Sequence, residues 1–160
     1  MRAVAALLVL AAALAGCGGG SGGGGAVSTA VSEPADPGAA AVRVMNLILG
    51  NKYAAAWRDL HPVDQQVAPR AEYVSCETRS PIVASATSVS ALSVTHESVG
   101  LGNGHFVPSS AVRVRIVFPD GKVVHTVHLV ASGGRWTWIL PSWRFRDYRA
   151  DRCPGTAPTA

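Results

Sequence analysis

Val112-Arg113-Val114-Arg115-Ile116-Val117-Phe118 sets apolar side chains at every second position, with arginine in the first two gaps. Alternation of period two belongs to a β-strand with one face in a core and the other in water. After Pro119, Asp120-Gly121 is a hairpin signal, because glycine accepts the positive φ of tight turns. Lys122 to Val130 then returns with apolar residues on both faces, the pattern of a central strand. Gly133-Gly134 turns the chain again. Trp136, Trp138 and Leu140 alternate with Arg135 and Thr137 in a last strand that Pro141 stops, and Trp143 to Arg149 reads as a short closing helix.

Upstream of this hairpin, Val83 to Val94 is rich in serine, threonine and valine and reads as a bent or bulged strand running towards Glu97. Gly100, Gly102 and Gly104 with Asn103 form a loop tip; His105 follows, and no phosphate-loop pattern is completed. Before Ile82 the apolar period becomes helical. Asp36-Pro37 is a helix start, with aspartate as N-cap and proline at the first helical position. Val42, Met45 and Leu49 follow at helical spacing, and Gly50 fits the stop. A second helix is expected from Asn51 to Leu60, on the stripe Tyr53, Ala56, Trp57 and Leu60, ended by Pro62. Pro69 can open a third through Tyr73 and Cys76. Helices followed by antiparallel strands predict the α+β class, N-terminal helices packed on a curved antiparallel sheet.

Tyr53-Ala54-Ala55-Ala56-Trp57, Leu60-His61-Pro62, Tyr73-Val74-Ser75-Cys76 and Gly134-Arg135-Trp136-Thr137-Trp138 resemble the small exported lipoproteins with an NTF2-like, or cystatin-like, domain. The resemblance runs from about Pro37 to Cys153. It implies a cone with a funnel between helices and sheet, used by some members for isomerisation or dehydration of ring substrates and by others to bind.

The N-terminus has its own signature. Arg2 precedes an apolar run from Ala3 to Ala15, shorter than the roughly 18 residues a membrane span takes. That is the layout of a secretory signal peptide. Leu14-Ala15-Gly16-Cys17 resembles the bacterial lipobox, in which the cysteine thiol receives a diacylglycerol and becomes the new N-terminus. Gly18 to Gly25, broken by Ser21, cannot bury apolar surface and is expected to be a tether. Gly19 to Gly23 spells G-x-S-x-G and Gly18 to Gly23 spells G-x-G-x-x-G, but neither lies between a strand and a helix. The expected division is a signal peptide over 1–16, lipidated Cys17 and tether over 17–36, an NTF2-like domain over 37–153 and a tail over 154–160.

Export places the remaining cysteines, Cys76 and Cys153, where disulfides persist, so a bridge between them is expected. Two free thiols or part of a metal site are the alternatives. The formal net charge is +4 before Arg2 is removed, too mild to point to nucleic acid. Arg144, Arg146, Arg149 and Arg152 crowd the C-terminal segment, and Arg113, Arg115 and Arg135 are expected on the outer sheet face.

Chemistry is sparse. Between Ile82 and Leu140 the acids are Glu97, at a strand end, and Asp120, in a turn, whereas an enzymatic funnel needs acids or bases on strands pointing into it. His125 and His128 are three apart and so face opposite sides of a strand. No catalytic residue, metal site or cofactor is assigned. Candidate funnel-lining residues are Tyr53, Trp57, His125, His128, Trp136 and Trp138. The expected function is that of a lipoprotein anchored through Cys17 on the extracytoplasmic face of the cell membrane. Its domain binds an envelope protein or an apolar small molecule without catalysis, and the alternative is a ketosteroid-isomerase-like or dehydratase-like enzyme.

Overall fold

The computed structural model describes residues 36–82 and 85–155. The signal segment, Cys17 and the tether up to residue 35 lie outside them, as do residues 83–84 and the tail from 156. Helices α1 (Pro37–Leu49), α2 (Tyr53–Arg58), α3 (Pro62–Val67) and α4 (Arg70–Arg79) precede strands β1 (Ser88–Gly100), β2 (Phe106–Phe118), β3 (Gly121–Ser132) and β4 (Arg135–Trp138), and α5 (Ser142–Arg149) closes the domain. The strands form one antiparallel sheet in the order β1-β2-β3-β4. This is the α+β class read from the periodicities. Among the described residues no helix is long and apolar enough to cross a membrane.

α1 starts where the local chemistry says it should. The Asp36 side chain accepts the N–H of Gly38 at 2.8 Å, with Pro37 in the first turn. Its end differs from expectation: Gly50 has φ −84°, and the left-handed residue is Asn51, at φ 55°. Asn51 N–H reaches Ile48 O at 3.0 Å and Lys52 N–H reaches Leu47 O at 2.8 Å, the paired bonds of a Schellman close. Asparagine tolerates this conformation through its short polar side chain, which here also clasps Ile82: Nδ2 donates to its carbonyl at 3.0 Å and Oδ1 accepts its N–H at 2.9 Å.

α2 stops at Arg58, before the expected limit. Asp59-Leu60-His61 leaves the helix to run parallel to β4: His61 N–H donates to Trp138 O at 2.8 Å and Trp138 N–H to Asp59 O at 2.9 Å. Pro62 therefore opens α3 rather than ending α2. It has no N–H to lose at a first helical position, and His61 before it is extended, at ψ 140°.

In the sheet, Val112, Val114 and Ile116 are buried between Arg113 and Arg115, which are exposed. β1 carries the bulge, at Leu92: Ala91 pairs with Val114 and Ser93 with Arg113. β3 is central over only part of its length. β4 pairs with Leu129 to Ser132, so the first part of β3 has no strand beyond it, and Val123 and Val124 are 52% and 43% exposed. β4 departs the other way. Thr137, expected on a wet face, is buried with its hydroxyl donating to Val130 O at 3.0 Å, because Leu101, Val130 and Ile139 form a second small core.

The main core joins α1 to the sheet through Val44, Leu60, Val112, Val114, Leu129 and Trp138. Tyr73 lies edge-on to Trp138, ring centroids 6.4 Å apart, and 6.0 Å from the Tyr148 ring. Cys76 and Cys153 are bonded, with Cα atoms 5.1 Å apart, so neither is a free thiol or a metal ligand here. The link ties α4 to the chain beyond α5.

Candidate ligand-binding site

β4 is four residues long against twelve in β3, and the uncovered length of β3 opens a hollow of about 630 Å³. α1 contributes Val44, Met45 and Ile48, β3 contributes His125 to His128, and the stretch from Trp138 to Trp143 closes the far wall. His125 is paired with Val114 and His128 with Ala111. Val114 faces the helices and is buried; strand alternation puts Ala111 on the opposite face, so the two histidines point apart as expected. Both histidines nevertheless line the hollow.

The walls partly strip water from His125, which lowers its pKa from the ordinary histidine value, and nearby His128 pushes the same way. The imidazole is therefore neutral at pH 7. His128 Nε2 meets Glu97 Oε1 at 2.7 Å across the sheet. Glu97, read in the sequence as an acid at a strand end, thus has a partner. Trp138 is a fixed wall, 4% exposed, with Nε1–H donating to Ala56 O at 2.8 Å. Trp143, by contrast, is half exposed at the rim, the Arg144 guanidinium carbon 5.7 Å from its ring centroid.

Three of the six residues proposed for the funnel lining are elsewhere. Tyr53 is buried in the core and its hydroxyl donates to Asn51 Oδ1. Trp57 donates Nε1–H to Ala68 O at 2.8 Å, joining α2 to the end of α3. Helix packing takes both, and neither reaches the hollow. Trp136 lines a different, more polar hollow of about 720 Å³ with His61, His96, Ser98, Ser109 and Ser110. There Ser110 Oγ lies 3.3 Å from His96 Nδ1. Among the described residues no carboxylate orients that imidazole, since Glu97 is engaged by His128, so the pair lacks the third member that activates a serine.

Several buried polar groups escaped the sequence reading. Asp64, in the first turn of α3, is 2% exposed; its Oδ2 accepts the Leu140 N–H at 3.0 Å. Burial pushes its pKa up to about 7, with the Leu140 bond acting the other way. Its only sequence signal is an acid just after a helix-opening proline, which reads as a helix-dipole residue. Arg144, read as part of a basic surface, forms an ion pair with Glu77, both side chains largely buried, and Tyr148 OH donates to the same Glu77 oxygen at 2.7 Å. The Tyr73 hydroxyl beside them is raised to about 12 by burial, against the pull of Arg144. Arg152 pairs with Asp147 at 2.9 Å. Arg135 pairs with Ser132, a register that puts it on the same sheet face as Arg113 and Arg115, and it also lines a hollow with Asp36 and with Arg43 of α1.

Among the described residues no three His, Cys, Asp or Glu side chains cluster as a metal site. The chain matches no protein-family model and no curated protein.

Proposed function

We propose that this chain is an exported bacterial lipoprotein, held at the extracytoplasmic face of the cell membrane by acyl chains on Cys17. Its NTF2-like domain binds an apolar small molecule, or an apolar segment of an envelope protein, without catalysing a reaction. The single observation that carries the binding role is the hollow of about 630 Å³ walled by Val44, Met45, Ile48, Val127, Trp138 and Leu140. Among the described residues the titratable side chains that line it are His125 and His128. Such a lining favours an apolar guest oriented by one or two polar contacts.

The sequence before the domain supports the location. Two acyl chains suffice for durable anchoring, at about 0.8 kcal/mol per buried methylene. A second reading, the isomerase-like or dehydratase-like enzyme, is favoured by one observation: a neutral imidazole, His125, at the hollow.

Native mass spectrometry of the protein extracted from membranes tests the binding role. A co-purifying apolar adduct that is reduced in a Met45→Trp variant, which fills the hollow, is the expected result. Identical spectra for the two proteins, with no adduct on either, would contradict it. Turnover of the bound molecule that disappears in His125→Ala would instead establish the enzymatic reading.

A further inference from the structure

A smaller hollow of about 300 Å³ shares Ile139, Leu140 and Ser142 as a wall with the site above. Asp64 lines it, with Leu101, Ile139 and Phe145 as apolar walls and Arg146 and Arg149 of α5 beside them. The loop before β2 is drawn tightly onto it. Gly102 has φ 75°, and a Cβ there would lie 2.5 Å from Phe145 Cε1, so a larger residue would force loop and ring apart.

The charges in this hollow are arranged for a guest. Asp64 is almost wholly buried, yet among the described residues its hydrogen bond is the one from Leu140, on Oδ2, and no donor is placed on Oδ1. Neither Arg146 nor Arg149 forms an ion pair with it. The two arginines are exposed and three residues apart on α5, so they share a helix face. An aspartate and two arginines therefore line one cavity with no ion pair between them among the described residues. A buried carboxylate is costly without a counter-charge, and the apolar walls offer none.

We infer that this hollow binds a small zwitterion, whose primary ammonium group meets Asp64 while its anionic group, a few bonds away, lies against Arg146 and Arg149. The apolar walls accept a short aliphatic side chain. Two sources carry this chemistry: a free aliphatic α-amino acid and a phosphoethanolamine headgroup. The inference does not depend on the apolar hollow being occupied.

Calorimetric titration of the full-length lipidated chain in detergent micelles tests it, with L-leucine, N-acetyl-L-leucine, L-leucinamide and phosphoethanolamine as probes. L-leucine or phosphoethanolamine binds at least about tenfold more tightly than the two leucine derivatives, each of which lacks one charge. Whichever zwitterion binds more tightly identifies the source. Asp64→Asn abolishes the preference for L-leucine over N-acetyl-L-leucine, and Arg146→Gln with Arg149→Gln abolishes the preference over L-leucinamide. The arginine variant alters only exposed side chains, so it decides the matter even if Asp64→Asn does not fold. Failure of both zwitterions to bind, or unchanged preferences in the arginine variant, would overturn the inference.

Discussion

Oδ2 of Asp64 accepts the backbone N–H of Leu140 at 3.0 Å, so an acid at the start of α3 holds the segment that walls both hollows. The bond crosses from the helical layer to the chain leaving β4. It sits beside the parallel pairing of Leu60 with Trp138, and together they fix the α2–α3 junction against the sheet edge.

The burial of Asp64 makes stability depend on pH. Its carboxyl titrates at about 7 in the folded chain against 3.8 ordinarily, so between these values the folded state holds the extra proton. Stability from this group is complete below pH 3.8 and is lost as pH rises to about 7. Of the charged or titratable side chains nearby, Arg146 and Arg149 line the same hollow, and burial lowers the His61 pKa. Asp64→Asn keeps an acceptor for Leu140 and removes the titration. Urea unfolding should show the variant gaining on the wild type from pH 4 to pH 8, by at most on the order of 4 kcal/mol. Parallel profiles would show that the carboxyl does not titrate in that window.

The disulfide spans 77 residues, a loop long enough for the chain-entropy model to give about 4 to 5 kcal/mol. Cys76→Ser with Cys153→Ser should lower unfolding free energy by about 2 to 5 kcal/mol, and reduction of the wild type should reproduce that loss. Denatured, unreduced wild-type protein should show no reactive thiol at these positions. Two thiols there would contradict the bond.

Trp138 and Trp143 border the same hollow with opposite consequences for the fold. Trp138→Phe removes the indole donor from the Ala56 carbonyl, which keeps the Asp59 N–H, and should destabilise the domain by about 0.5 to 1.5 kcal/mol. Trp143 is 49% exposed, so Trp143→Ala should change stability by less than about 0.5 kcal/mol while weakening retention of an apolar guest. Thermal unfolding and adduct mass spectrometry read the two effects separately. Equal destabilisation by both substitutions would remove the distinction between wall and rim.

What was legible in the sequence is what local chemistry decides. The Asp36-Pro37 cap, the alternation from Val112 to Ile116 and the turn at Gly133-Gly134 each depend on neighbours a few residues away, and each stands in the structure. The β2–β3 hairpin also forms, but it turns on Pro119-Asp120, and Gly121, paired with Phe118 at the start of β3, does not take a positive φ. The break at Asp59 depends on hydrogen bonds to Trp138, far along the chain, which no helical period reveals. Gly50 drew the reading of a left-handed stop, but its neighbour Asn51 takes that conformation because its side chain also binds Ile82. At the candidate site, His125, His128 and Trp138 line one hollow. Tyr53 and Trp57 do not, since an aromatic stripe on a helix looks the same whether it lines a hollow or packs a helix pair. Asp64 and the Glu77–Arg144 pair looked like surface charges, because partners that bury a charge are set by tertiary contact.

Acylation of Cys17 decides most directly whether this domain works at a membrane. Cells fed an alkyne fatty acid and expressing the wild type or Cys17→Ala should yield a labelled, membrane-sedimenting wild-type protein and an unlabelled variant that leaves the membrane fraction. Equal labelling of the two, or unlabelled wild-type protein in the cytosol, would contradict the account.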